Sequence, residues 1–189
     1  LIALLGVWPE GAAGLMERVL DIAAEYVECG DALGLKSGRP HYEVDDAVWA
    51  ASNDVMKHAV ELGADLDCVV QLHTEASEDL TEIADWADAR GLDPLHVVKH
   101  YASGRLAGPT PSVMCKKDWL ETAAESGAPF LMETDYVDDP DRPGAVMGPK
   151  TVPRRVRWLR EQGYDDAVNT AHVETPKRVY GIDTRRTLE

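Results

Sequence analysis

Phenylalanine occurs once and isoleucine four times in 189 residues, and aromatic residues make up only 6% of the chain. Any core must therefore be built from Ala, Val, Leu and Met. Three cysteines, Cys29, Cys68 and Cys115, are too few and too scattered for a disulfide framework or a paired CxxC metal site, which points to a reducing, cytoplasmic setting. No apolar run approaches the roughly 20 residues that cross a bilayer, and mean hydropathy is -0.28, so no membrane partner is expected. No GxGxxG or GxxxxGK[ST] loop follows an apolar run, which removes the strongest dinucleotide and nucleotide signatures. The opening Leu1–Val7 run has no basic segment before it and no small-residue cleavage site after it, so it reads as a buried strand rather than a signal peptide.

Positive charge is also scarce. Only seven lysines accompany twelve arginines, against 34 acidic residues, for a net charge of -15. A carboxylate-rich, lysine-poor surface stays hydrated when salt screens charge repulsion, which reads as halophilic adaptation; the other reading is an ordinary acidic cytosolic protein. Both exclude a broad basic face for gripping a phosphate backbone.

Short apolar runs alternate with amphipathic stretches. The runs fall at Leu1–Val7, Ala32–Leu35, Cys68–Leu72, His96–Val98, Ser112–Met114 and Phe130–Met132, each short enough for a strand buried on both faces. Helical spacing links Val48, Trp49, Ser52, Val55, Met56, Ala59, Val60 and Leu62, then Leu80, Ile83, Ala84 and Ala87, then Trp119, Leu120, Ala123 and Ala124. Thr151-Val-Pro153 opens another helix that stops before Gly163, and a last one runs from Thr175-Pro176 to Gly181. Neither repeats nor a dividing linker appear, so residues 1–189 read as one α/β domain with a parallel sheet. Lys36, His73, His100 and Asp135 fall at strand C-terminal ends, which favours a TIM (β/α)8-type barrel over a doubly wound sheet. About six of eight strands are visible, which would place the first two ahead of Leu1.

His73 and His100 each end a strand just before the chain turns polar. One such histidine is ordinarily structural, but two on neighbouring strands, with Asp135 ending a third, point to a divalent metal holding a water. Arg39 and His41, just beyond a strand, read either as an anion-recognising pair or as a loop ion pair and a cap. Lys99, by strand alternation, points away from His100. Glu133 shares a face with Asp135 and is placed to support it. Glu75 reads as a capping or orienting residue, His58, His96 and His172 as structural, Cys68 as core, and Asp138–Asp141 as a solvated acidic turn.

Gly6-Val-Trp-Pro9, Lys36-Ser-Gly-Arg-Pro-His-Tyr42, Leu72-His73, Lys99-His-Tyr-Ala-Ser-Gly104 and Glu133-Thr-Asp135 occur in an order that resembles the TatD-related metal-dependent hydrolases, barrels of the amidohydrolase superfamily, in an archaeal branch. His172-Val-Glu-Thr-Pro-Lys-Arg-Val-Tyr-Gly181 resembles their C-terminal helix. The resemblance implies that His73 and His100 are the fifth- and sixth-strand metal histidines, and that Asp135 is the eighth-strand acid that binds metal and activates water. It implies one or two ions of Zn, Mn or Mg, and a His-x-His pair on a strand upstream of Leu1. Lys36 departs from the family's bridging glutamate. Three readings stand: a carboxylated lysine that ligates metal, a cation that binds phosphate, and a structural lysine. Trp8 departs too, from a histidine. The implied activity is hydrolysis of a phosphoester, in its sharpest form at a DNA end as by an exonuclease. The alternatives are an amide, lactone or phosphotriester of a small molecule, and an inactive truncated barrel with a binding or structural role.

Overall fold

Parallel pairing of short buried strands, each returned by a helix, organises the chain. The computed structural model describes residues 9–138, 141 and 147–185; the expected strand at Leu1–Val7 lies outside them. The elements in order are α1 (Pro9–Glu28), β1 (Gly34–Gly38), α2 (Asp46–Asp65), β2 (Val69–His73), α3 (Thr81–Asp88), β3 (Val97–Ala102), β4 (Thr110–Met114), α4 (Lys117–Ser126), β5 (Leu131–Glu133), α5 (Thr151–Glu161), α6 (Asp165–Asn169) and α7 (Thr175–Tyr180). Chain contacts divide into two compact units: residues to His100 with Ala107–Pro109, and Tyr101–Leu106 with the chain from Thr110 onward.

In the first unit β1, β2 and β3 lie side by side and parallel, with Lys36 opposite Gln71, Gly38 opposite His73, and Leu72 opposite Lys99. α2 begins where Asp45 accepts the Val48 N–H at 2.8 Å, satisfying one of the amides a helix start leaves open. Its periodic face buries Val55, Met56, Ala59 and Val60, the positions the sequence spacing selects. In the second unit β4 and β5 pair in parallel. The chain's sole phenylalanine, Phe130, is buried there with Val113, Leu120 and Leu159. α4 closes at Gly127 and α7 at Gly181, with φ of 66° and 68°, left-handed values that glycine adopts without Cβ strain. The α/β class and the parallel pairing agree with the sequence reading. Among the described residues no helix is long and apolar enough to cross a membrane.

Several boundaries differ from the apolar runs. β1 reaches from Gly34 to Gly38 rather than stopping at Leu35, because ladder pairing carries the polar Lys36 and Ser37 along with it. α1, twenty residues long, has no counterpart in the sequence reading; Gly11 and Gly14 interrupt its early turns and weaken its periodic signal. Thr170–Glu174 forms a π-helical turn between α6 and α7.

The three thiols have different surroundings. Cys29 is exposed, whereas Cys68 and Cys115 are buried. Burial, with the nearby Asp67 charge, raises the Cys68 thiol above its usual range. Burial pushes Cys115 up to about 11, with Glu133 adding to the shift and Arg155 opposing it.

His172, in the π turn, has an Nε2 that is buried without a hydrogen-bond partner. Burial first, and the Arg160 charge second, hold its pKa below the ordinary imidazole value. The unfolded chain therefore takes up that proton more readily than the folded one. The contribution is fully present above the unfolded value of about 6.5 and is lost as pH falls below it. Between pH 7 and pH 5 the melting temperature of the wild type should fall more steeply than that of His172→Gln. Superimposable pH profiles in thermal denaturation would contradict this.

Candidate functional site

The strand register builds the site. Residues opposite one another in a parallel ladder share a face, and positions two apart along a strand return to it. Lys36 and Gln71 therefore form one level of a face, with Gly38 and His73 forming the next. Continuing the β2–β3 alignment by one residue from Leu72 opposite Lys99 brings His100 level with His73. The two imidazole rings accordingly lie with centroids 5.5 Å apart and planes tilted by 40°. His73 is half-buried and His100 buried.

At the histidine level β1 contributes only Gly38. A Cβ there would lie 2.0 Å from the His73 carbonyl oxygen, the same atom that accepts the Arg39 N–H at 2.9 Å. The glycine thus lets β1 close against the end of β2. One level below, Lys36 Nζ donates to Gln71 Oε1 at 3.1 Å. The turn after β1 brings His41 back over β2, where its Nδ1 meets His73 Nε2 at 3.1 Å, with ring centroids 4.9 Å apart. That bond needs a proton on one nitrogen and a lone pair on the other, so the two rings are not both fully protonated. Burial, followed by the positive charges of His100, Lys99, His41 and Lys36, lowers the pKa of His73. Lys99 is buried on the opposite side of the ladder, where its Nζ donates to the carbonyls of Thr74 at 3.1 Å and His100 at 2.7 Å.

Arg39 is buried, with its guanidinium bound to Glu75 through Nε at 2.8 Å, to Glu82 at 2.7 Å and to Asn53 at 3.1 Å, and stacked 4.5 Å from the centre of the Trp49 ring. Burial lowers its pKa, but the hydrogen bonds and charges of Glu75 and Glu82 outweigh that and raise it overall. Burial likewise raises the Glu75 carboxyl, and the Arg39 contacts bring it below its usual range. The Arg39 charge is thus matched within the protein. A cleft of about 550 Å³ runs along this end of β1, and Lys36, Arg39, His41 and His73 are among its walls.

The second unit holds the remaining candidates. Glu133 ends β5 and accepts the Tyr101 N–H at 2.7 Å and the Ser112 hydroxyl. Tyr101 and Asp135 both have left-handed backbone, with φ of 56° and 47°, an unusual state for residues with side chains and one often found at functional sites. The carboxylate of Glu133 holds the first of these in place. Nothing in the sequence pattern marks Ser112 or the Tyr101 amide as its partners. His58 pairs with Asp21 at 2.7 Å and His96 lies 3.9 Å from Asp67.

A metal site of structural or catalytic type takes at least three protein ligands. Among the described residues no group of three or more His, Cys, Asp or Glu is arranged to hold an ion. His73 and His100 offer two imidazoles on one level, but Lys36 brings an ammonium where the resemblance implies a carboxylate, and His73 is tied to His41. The described residues therefore do not by themselves fit a metal pair.

Three substitutions check the support of this site. Glu75→Gln, which leaves the buried Arg39 with half its ionic pairing, should cost about 2–3 kcal/mol in chemical denaturation, less than a fully buried pair because the carboxylate is partly exposed. Glu82→Gln, at a more exposed carboxylate, should cost under about 1 kcal/mol. Gly38→Ala should displace β1 from the end of β2. Amide exchange at Arg39 should rise by at least tenfold as its hydrogen bond opens, about 1.4 kcal/mol of local stability.

The family model for "TatD related DNase" matches residues 1–181. An archaeal relative, "Uncharacterized protein MJ1127" of Methanocaldococcus jannaschii, is 40% identical over 155 residues, covering 77% of this chain and 55% of that protein. The chain thus spans little more than half the length of that relative. The landmark residues lie in the stretch matched by the family model, and this chain belongs to the TatD-related DNase family.

Proposed function

We propose that this protein is a metal-dependent hydrolase that cleaves phosphoesters, with a nucleic-acid end as its most specific substrate. The observation that carries the reading is the pair of imidazoles brought level by the β2–β3 register, with His73 and Lys36 lining a cleft, in a chain of this family. A cleft of about 550 Å³ matches a small ester or one strand terminus better than a long backbone, as does the net charge of -15.

A divalent ion, Zn, Mn or Mg, would supply a polarised phosphoryl oxygen and a water of lowered pKa when bound. The described cluster does not complete its ligand set, and the chain's own residues contribute positioning and proton transfer. His73, held with low proton affinity by burial and its cationic neighbours, presents a neutral imidazole at neutral pH. His100 occupies the same level, with its backbone carbonyl held by Lys99. Asp135, on its left-handed turn after β5, is the proposed acceptor for the proton of the attacking water. Glu133 sets the backbone of Tyr101 and is a positioning residue.

In the full-length protein, release of nucleotides from single-stranded ends should require added divalent metal and stop on chelation, measured in high salt. His100→Asn and Asp135→Asn should each lower kcat by at least about 100-fold, as loss of a general acid–base partner does, with circular dichroism unchanged. Wild-type rates in both variants at saturating metal would remove the assignment. Turnover of amide, lactone or phosphotriester substrates without phosphodiester cleavage would move the activity to small molecules.

A further inference from the structure

The cleft beside β1 has a composition opposed to that of the chain. Asp and Glu account for 34 of 189 residues, yet none of the twelve described residues lining the cleft is acidic. The lining instead includes Lys36, Arg39, His41 and His73. Arg39 is neutralised by Glu75 and Glu82, so the charge left facing the cleft is that of Lys36. One of the three ammonium donors of Lys36 goes to Gln71. The His41–His73 pair adds another donor. If the His73 proton makes their bond, neutral His41 carries its own on Nε2. If the His41 proton makes it, neutral His73 carries its own on Nδ1. Either arrangement leaves one imidazole N–H beyond the pair. A wall whose described residues carry no carboxylate, and which bears an ammonium and an imidazole donor, attracts an oxyanion. The lining also includes the apolar Met16, Val48 and Val55.

We infer that this cleft is a phosphate-binding pocket, in which the Lys36 ammonium and the His41–His73 imidazole pair hold the anionic oxygens of a phosphomonoester directly and its organic group lies against Met16, Val48 and Val55. Lys36 thereby does with a fixed charge what a metal-bridging carboxylate at that position would do through an ion. The inference rests on the proposed phosphoester chemistry for its biological setting, but the binding itself needs neither metal nor turnover.

Calorimetric titration of the chelator-treated chain with inorganic phosphate tests it. The expected result is one equivalent bound, an affinity reduced at least tenfold in Lys36→Met, and substantial retention in Lys36→Arg. Lys36 is exposed, so Lys36→Met should melt with the wild type, and a matching melting temperature confirms that the loss is local. Ser126→Ala, remote in sequence and on α4, serves as the control and should bind phosphate like the wild type. Failure of the wild type to bind phosphate, or unchanged affinity in Lys36→Met, overturns the pocket even if the protein proves to be an active hydrolase. A carbamate resonance from Lys36 in labelled bicarbonate, lost in Lys36→Met, also overturns it, because the group would then be an anion. Phosphate binding without any hydrolytic activity leaves the pocket standing and removes the hydrolase reading instead.

Discussion

The alignment of β1, β2 and β3 is the constraint on which the first unit's chemistry depends. With Gly38 opposite His73, and His100 carried to the same level by the β2–β3 ladder, two imidazoles meet and the third strand position carries no side chain. A slip of one residue would turn His73 and His100 to the other face and bring Leu72 and Lys99 in their place. Gly38 protects that alignment sterically, because any Cβ would run into the carbonyl at the end of β2.

Charge is distributed by the same logic. A chain with a large acidic excess neutralises the buried Arg39 guanidinium beside the cleft with Glu75 and Glu82, and keeps carboxylates off the described cleft wall. Arg39 then works as a bracket between the turn after β1, the segment after β2 and the first turn of α3, stacked on Trp49. In the second unit Glu133 has a comparable task, tying β4 through Ser112 and the left-handed Tyr101, near the end of β3, to the end of β5. Arg39 and Glu133 thus each tie together segments that lie at strand ends.

Much of this was legible in the sequence. Short apolar runs located five strands, and the 3.6-residue spacing located α2, α3 and α4, because burial on a face leaves a periodic trace. The same signal ended too early at β1, since Lys36 and Ser37 belong to a strand by hydrogen bonding and not by hydrophobicity. α1 escaped because glycines dilute its opening turns, and the π turn at Thr170–Glu174 escaped because an extra residue per turn leaves no composition mark. The closeness of His73 and His100 was legible from their place at neighbouring strand ends. The partners of Arg39 were not, since Glu75 lies 36 residues further on and only folding makes them neighbours. The sequence placed both readings of Arg39 side by side, and its ion pairs now describe how that side chain is held.

The cysteines add a property unrelated to catalysis. One sulfur is open to solvent, while Cys68 is enclosed in the first unit and Cys115 in the second, both with thiols that resist ionisation. An alkylating reagent will mark Cys29 at once, then reach the other two only as their surroundings breathe. The molecule therefore carries two internal clocks, one in each half, whose labelling rates time the opening of each half separately without any engineered probe.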